Sequence, residues 1–344
     1  KVDYIINPRM FSPKKLIEKL GHFDLVISYS LFEGSINFIN HVSCPVVWLG
    51  FGFDYYPLIV DNTNSLFLSK TASLYYNYEK QQNKKLKSKI KKIIKRLFPR
   101  SFLQPSSEQI LQLIRLGKIS FFAPIIKPEY DILKNKLMIN NFPEYIDFSF
   151  GSGYASDENF YSNIQITGNN ILLGNSATFT NNHIEAIDII AKYIKIKKRK
   201  IITPLNYGNE FYKTKILMYG EKVLGSNFEP ILDYMDKKEY FLKISSCSVC
   251  IMNHLRQQAL GNISIMLLCG AKVFLNDKNI LYKYLRECGF FVYPIDEICQ
   301  SGEKAFKDLT LNEKNINRNL VKNLWSKSAV LEKIRKLIEQ TGVC

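Results

Sequence analysis

From residue 170 onward, short apolar blocks alternate with longer stretches of mixed polarity. The block NILLG (170–174) precedes NNHIEAIDIIAKYIKI (181–196), in which Ile184, Ile187, Ile190, Ala191 and Ile194 recur at helical spacing. The same alternation predicts strand KIITPL and helix 209–224, strand SNFEPI and helix 236–246, then strand SVCIMNHL and helix 257–269. Strand AKVFL, helix 279–288 and strand FFVYP complete the series. Strands separated by helices at this rhythm predict a parallel sheet with right-handed crossovers.

The first half carries a looser version. VDYIIN, FDLVISY and PVVWLGF read as strands, with helices at 12–20 and 33–40 between them. Because the first residue, Lys1, already adjoins a strand, residues are expected upstream of it. Residues 101–165 are rich in Phe, Pro, Tyr, Ser and Asn, with Pro124, Pro128 and Pro143 as breakers, and read as the passage between domains. Helical spacing returns at 312–340. The fold expected is α/β, with two Rossmann-like domains facing across a cleft: residues 1–160, residues 161–320, and a C-terminal helix in 321–344 that crosses back.

Composition sharpens this picture in two places. The chain's 344 residues, 46% hydrophobic and 13% aromatic, supply packed cores and exclude wholesale disorder. The net charge is +16, but ten basic residues and no acid fall within 80–100, so most of the excess is local and the body is mildly basic. In that stretch Leu86, Ile90, Ile93, Ile94, Leu97 and Phe98 form one stripe of a helix with lysines around it. This predicts an interfacial amphipathic helix on an anionic membrane, with Lys85, Lys89, Ile90, Lys92, Ile93, Ile94, Arg96 and Leu97 in contact. Nucleic acid is not the expected partner, since the aromatics and strands of common nucleic-acid modules are absent around it. No apolar run reaches the roughly 18 residues that span a bilayer; Asp54 and Lys272 cut the best candidates. Seven scattered cysteines suit a reducing compartment, and Cys247-x-x-Cys250, lacking a second pair, is expected to be buried structure.

Open α/β sheets hold ligands outside the carboxyl ends of their strands, so chemistry is sought in strand-to-helix loops. Gly174, Asn175 and Ser176 form a small-residue loop that lets backbone N–H groups approach an anion, and Thr180, Asn181 and Asn182 are good caps for the next helix. An ordinary turn would use the same residues. His183 and Glu185 follow; the histidine is a candidate acid, base or phosphate contact. Asn253, His254, Leu255, Arg256, Gln257 and Gln258 separate an apolar strand from an apolar helix, a polar cluster that packing alone does not explain. Arg256 offers a forked donor suited to pyrophosphate, and Gly261 with Asn262 permits close approach. Tyr207 and Phe228 are candidates to stack on a base, and Glu229 to accept from a hydroxyl. In the first domain WLGFGFDYY (48–56) sets aromatics and Asp54 at a strand end, where Asp54 is a candidate base for an acceptor hydroxyl or else a structural cap. No Asp-x-Asp occurs, so neither a carboxylate-bound metal nor another cofactor is expected. Leaving-group charge would fall to Arg256 and helix N-termini.

Several segments carry a resemblance. GNSATFTNNHIEA, PLNYG, FEPILDYMDKKEYFLKISSC and NHLRQQALGN resemble the TDP-N-acetylfucosamine:lipid II N-acetylfucosaminyltransferases, glycosyltransferase family 56, over roughly 165–300, and WLGFGFDYY is similar to that family's Trp-Gly-x-Asp-x-Tyr stretch. The resemblance implies a GT-B fold. It also implies transfer of 4-acetamido-4,6-dideoxygalactose from a nucleotide diphosphate donor, TDP or UDP, to a polyprenyl-diphosphate-linked glycan at the cytoplasmic face of the inner membrane. That activity serves enterobacterial common antigen assembly; an O-antigen or capsule enzyme using a related sugar fits equally. By position, Gly174, Asn175 and Ser176 would meet the diphosphate, Arg256, Gln257 and Gln258 would line the donor site, and Asp54 would face the acceptor. Ala259 stands where the family pattern leads one to expect glycine. A two-Rossmann sugar-nucleotide epimerase and a non-enzymatic membrane-surface protein are the rival classes.

Overall fold

The computed structural model describes residues 13–21, 23–86, 105–148, 157–196 and 199–342. Its contacts divide into two units. The first comprises Lys1–Asn62, Gln82–Ser149 and Leu331–Cys344, and the second Thr63–Gln81 with Phe150–Val330. The strand expected at 2–7 lies outside the described residues, as do seven of the eight expected membrane contacts (Lys89, Ile90, Lys92, Ile93, Ile94, Arg96 and Leu97). The eighth, Lys85, falls in the last turn of the helix Ser69–Leu86.

The first unit holds a parallel sheet in the order β1 (Val26–Tyr29), β2 (Val46–Leu49), β3 (Phe121–Ala123), β4 (Glu144–Tyr145). All of β2 is buried, as a parallel strand covered on both faces must be. Trp48 stacks on Phe122 of β3 at 4.3 Å between ring centroids. Residues 105–148 are therefore not a passage. Helices Ser107–Arg115 and Lys127–Leu137 alternate with β3 and β4, which at three and two residues are too short to show a period in sequence.

The second unit has six parallel strands: β5 (Asn170–Leu173), β6 (Ile201–Pro204), β7 (Phe228–Ile231), β8 (Cys247–Met252), β9 (Lys272–Leu275) and β10 (Val292–Pro294). Their spatial order is β10-β9-β8-β5-β6-β7. The chain starts in the middle at β5, winds outward through β6 and β7, then returns to lay β8 against β5 and winds out the other way. Numbered from β5, this is the doubly wound order 3-2-1-4-5-6, with its switch point between β5 and β8. The helix Leu260–Cys269 sits at its centre, buried from Ile263 to Cys269. Cys247 and Cys250 are buried in β8, and desolvation pushes the Cys247 thiol up to about 12. The helical pattern at 312–340 is two helices, Leu311–Trp325 and Lys327–Thr341, broken at Ser326, whose backbone is extended.

The boundary expected at 160 does not account for residues 63–81, which cluster with the second unit. There Glu185 caps the helix Ser69–Leu86, accepting from the Thr71 N–H at 2.8 Å and the Thr71 hydroxyl at 2.7 Å. Phe67, Tyr75 and Tyr78 pack around Phe179.

Candidate functional site

Three loops leave the carboxyl ends of β5, β6 and β8, and they are tied together by side chains. After β5, Gly174 turns at φ +67°, a conformation that disfavours any Cβ. A Cβ there would also lie 2.4 Å from His183 Nε2 and 2.7 Å from Asn181 Oδ1. Asn175 then donates its backbone N–H to Asn181 Oδ1 at 2.9 Å, closing the loop on itself. Gly208 in the β6 loop packs on Ala177, where a Cβ would meet the Ala177 carbonyl at 2.4 Å. Across that contact the Ala177 N–H donates to the Tyr207 carbonyl at 2.8 Å.

The β8 loop joins from the other side. His254 Nε2 lies 3.1 Å from Asn175 Oδ1 and 3.0 Å from Asn181 Oδ1. Gln258 donates from Nε2 to Asn175 Oδ1 at 3.0 Å and accepts at Oε1 from the Thr180 hydroxyl at 2.7 Å. Asn175 donates from Nδ2 to the Tyr207 hydroxyl at 2.9 Å. Arg256 is partly exposed in this loop and donates to the Gln257 carbonyl at 3.0 Å. The helix that follows begins at Leu260 rather than Gln257, after Ala259 at φ +63°, a strained position for any residue with a Cβ. Its first turn carries no acid, and Asn262 donates to the Tyr240 hydroxyl at 3.0 Å.

The expected site residues thus separate into two groups. Asn175, Tyr207, Arg256, Gln258 and Asn262 are at least partly exposed, at one end of the sheet. Ser176, Asn253 and Gln257 are at most 5% exposed. Ser176 accepts from Asn181 within the loop, and Asn253 accepts at Oδ1 from Asn276 and exchanges carbonyl hydrogen bonds with Asn182. They hold the loops in place. Asn182 was expected to cap its helix, but its side chain accepts from the Leu68 N–H instead.

Four expectations are corrected. His183 is completely buried, with Nδ1 against the Tyr212 hydroxyl at 3.2 Å. Desolvation lowers its pKa to about 3, so it is neutral near pH 7 and has no acidic proton to donate. Phe228 and Glu229 begin β7 rather than end it, which puts them at the amino end of the sheet. Phe228 lies under Gly220 in the core, and Glu229 pairs with Lys243 at 2.6 Å. Asp54 is fully buried and accepts three hydrogen bonds: from Trp48 Nε1 at 2.7 Å, the Phe51 N–H at 2.9 Å and the Leu31 N–H at 3.2 Å. It ties the ends of β1 and β2 together, and burial raises its pKa against those bonds.

Sequence reasoning missed the second-row residues Thr178, Thr180 and Asn181 as network members, although the density of small polar side chains in SATFTNN was the signal. Among the described residues, no group of three His, Cys, Asp or Glu side chains is placed to hold a metal.

Comparison with solved structures gives the class. A sucrose-phosphate synthase from Thermosynechococcus elongatus superposes with a TM-score of 0.61 at 10% identity, over 95% of this chain and 75% of that one. A glycosyltransferase from Rickettsia africae gives 0.57 at 11% identity, over 96% and 81%. A trehalose-6-phosphate structure from E. coli bound with UDP-2-fluoro glucose gives 0.62 at 9% identity, over 96% and 76%. The fold is that of the GT-B glycosyltransferases.

The family narrows this further. Residues 153–312, within the second unit and spanning all six of its strands, match the family described as 4-alpha-L-fucosyltransferase, glycosyl transferase group 56. The chain is a glycosyltransferase, and the part of it similar to group 56 lies in its second unit.

Proposed function

We propose that the carboxyl ends of β5 and β8 hold the diphosphate of a nucleotide-activated sugar. The single observation that carries this is the hydrogen bond from Gln258 to Asn175, which joins two polar loops at the switch point of a doubly wound sheet. Arg256 supplies the positive charge in the β8 loop, and the amino end of the helix Leu260–Cys269 adds its partial charge to that of the guanidinium. On transfer, the acceptor oxygen bonds the anomeric carbon and its proton passes to water. The bond from that carbon to the diphosphate breaks, and the nucleoside diphosphate leaves with the electron pair. Arg256 and backbone N–H groups meet that leaving charge without a metal. Asp54 has no part in this account, since its oxygens already accept three N–H groups.

The group 56 match supports a deoxy sugar of the fucose kind. The resemblance carried by GNSATFTNNHIEA and NHLRQQALGN extends the proposal to a deoxyamino sugar such as 4-acetamido-4,6-dideoxygalactose, carried on TDP or UDP, and a polyprenyl-diphosphate-linked acceptor in bacterial surface polysaccharide synthesis. The basic, striped segment 80–100 supports peripheral attachment to the cytoplasmic face of the inner membrane. No described helix is long and apolar enough to cross a membrane.

A thermal-shift screen of nucleotides tests the donor site. TDP or UDP at about a hundred times its Kd should stabilise the protein by about 2.7 kcal/mol, while adenine nucleotides leave it unmoved. A flat response to every nucleoside diphosphate would remove the donor site.

A further inference from the structure

The hydrogen bonds around Asn175 have a direction, and that direction ends at a hydroxyl facing solvent. His254 is completely buried, and burial first, then the nearby charge of Arg256, keeps its imidazole well below its ordinary pKa and so neutral. A neutral imidazole carries one N–H. Its Nε2 faces two amide oxygens, Asn175 Oδ1 at 3.1 Å and Asn181 Oδ1 at 3.0 Å, which only accept. The proton therefore sits on Nε2, while Nδ1 is buried without a partner among the described residues. Gln258 also donates to Asn175 Oδ1, so two donors fix the orientation of that amide. Its Nδ2 is left to donate, and it donates to the Tyr207 oxygen at 2.9 Å. A phenol whose oxygen is accepting in this way directs its own hydrogen elsewhere. Tyr207 is 55% exposed, on the side where the three loops open to solvent.

We propose that His254 and Asn175 form a one-way relay that aims the Tyr207 O–H at a phosphoryl oxygen of the bound nucleoside diphosphate. Tyr207 is then a hydrogen-bond donor to the diphosphate rather than a ring stacked on the base, and His254 is its positioning residue. The relay rests on the donor-site reading above. It also accounts for a buried histidine at a strand end: with two amide oxygens facing Nε2, the neutral imidazole is held in the tautomer that donates to them.

Calorimetric titration of UDP and TDP into five proteins tests the relay: native, Tyr207→Phe, Tyr207→Leu, His254→Leu and the double variant Tyr207→Phe/His254→Leu. A hydroxyl bonded to a charged oxygen predicts that Tyr207→Phe weakens binding about tenfold and that Tyr207→Leu is no worse. A stacking ring predicts the reverse, with Tyr207→Phe native-like and Tyr207→Leu impaired, and would overturn the relay while leaving the donor site standing. If His254 acts through Tyr207, His254→Leu costs about fivefold in the native background and nothing further beside Tyr207→Phe. Equal losses in both backgrounds would reduce His254 to a structural role and overturn its half of the proposal. Should His254→Leu not fold, the comparison of Phe with Leu at position 207 still decides. Native protein that binds neither nucleotide would overturn the donor reading and the relay with it.

Discussion

At the level of single residues, burial decides which polar groups can do chemistry. Asp54 looked like a base because a lone carboxylate among aromatics and glycines is what a sugar site contains. The same carboxylate, fully buried and holding Trp48, Phe51 and Leu31, is what a strand-end clamp contains. Asn at this position would keep the shape but turn an N–H₂ group toward an N–H donor. Asp54→Asn should therefore lower the unfolding free energy by about 2–3 kcal/mol in denaturant titration. Turnover per folded molecule should stay within a few-fold of native. A native-like unfolding curve with turnover reduced about a thousandfold would restore Asp54 as the base.

At the level of elements, the end of a strand matters as much as its existence. The strands and helices of the second unit were legible because parallel strands buried on both faces read as unbroken apolar blocks, and because helices between them carry a 3.6-residue stripe. The ends were harder. In the sequence the strand SNFEPI reads as closing at Phe228, Glu229 and Pro230, yet all three are paired inside β7, Pro230 opposite Thr203. An edge strand tolerates proline because its missing N–H can face away from the sheet, and β7 is an edge. Phe228 therefore belongs to the core. In the first unit β3 and β4 were invisible for want of length. The polar loops at the ends of β5 and β8 were legible because polarity between two apolar elements has few other causes. Which members face outward was not, since Asn175 and Ser176 are neighbours with opposite fates.

The switch-point loop also carries a pH dependence. His183 binds a proton in the unfolded chain at its ordinary 6.5 but in the folded protein only near 3. Between those values the unfolded state holds more protons, so stability is complete above pH 6.5 and falls as pH drops toward 3. At pH 5 the loss from His183 is about 2 kcal/mol; His254, lowered in the same direction, adds to it. His183→Gln should flatten the fall in melting temperature between pH 7 and pH 5. An equally steep fall in that variant would show that His183 is not the group being protonated.

For the whole molecule, the two sheets and the match to structures of GT-B enzymes over nearly the full chain define the fold, while residues 153–312 in the second unit are similar to glycosyl transferase group 56. Asn175, Tyr207, Arg256 and Gln258 lie in the loops at one end of the second sheet, where we propose that the donor binds. Ten of the basic residues fall in the stretch 80–100, which contains no acid. The most direct measurement is the affinity of the native protein and of Arg256→Ala for TDP and UDP by isothermal titration. Losing one charge-assisted contact to the diphosphate should weaken binding of the preferred nucleotide about 10- to 100-fold, with the melting temperature of the unliganded protein unchanged. Equal affinity in the two proteins would contradict the account, because the positive charge at the β8 loop would then have no diphosphate to meet.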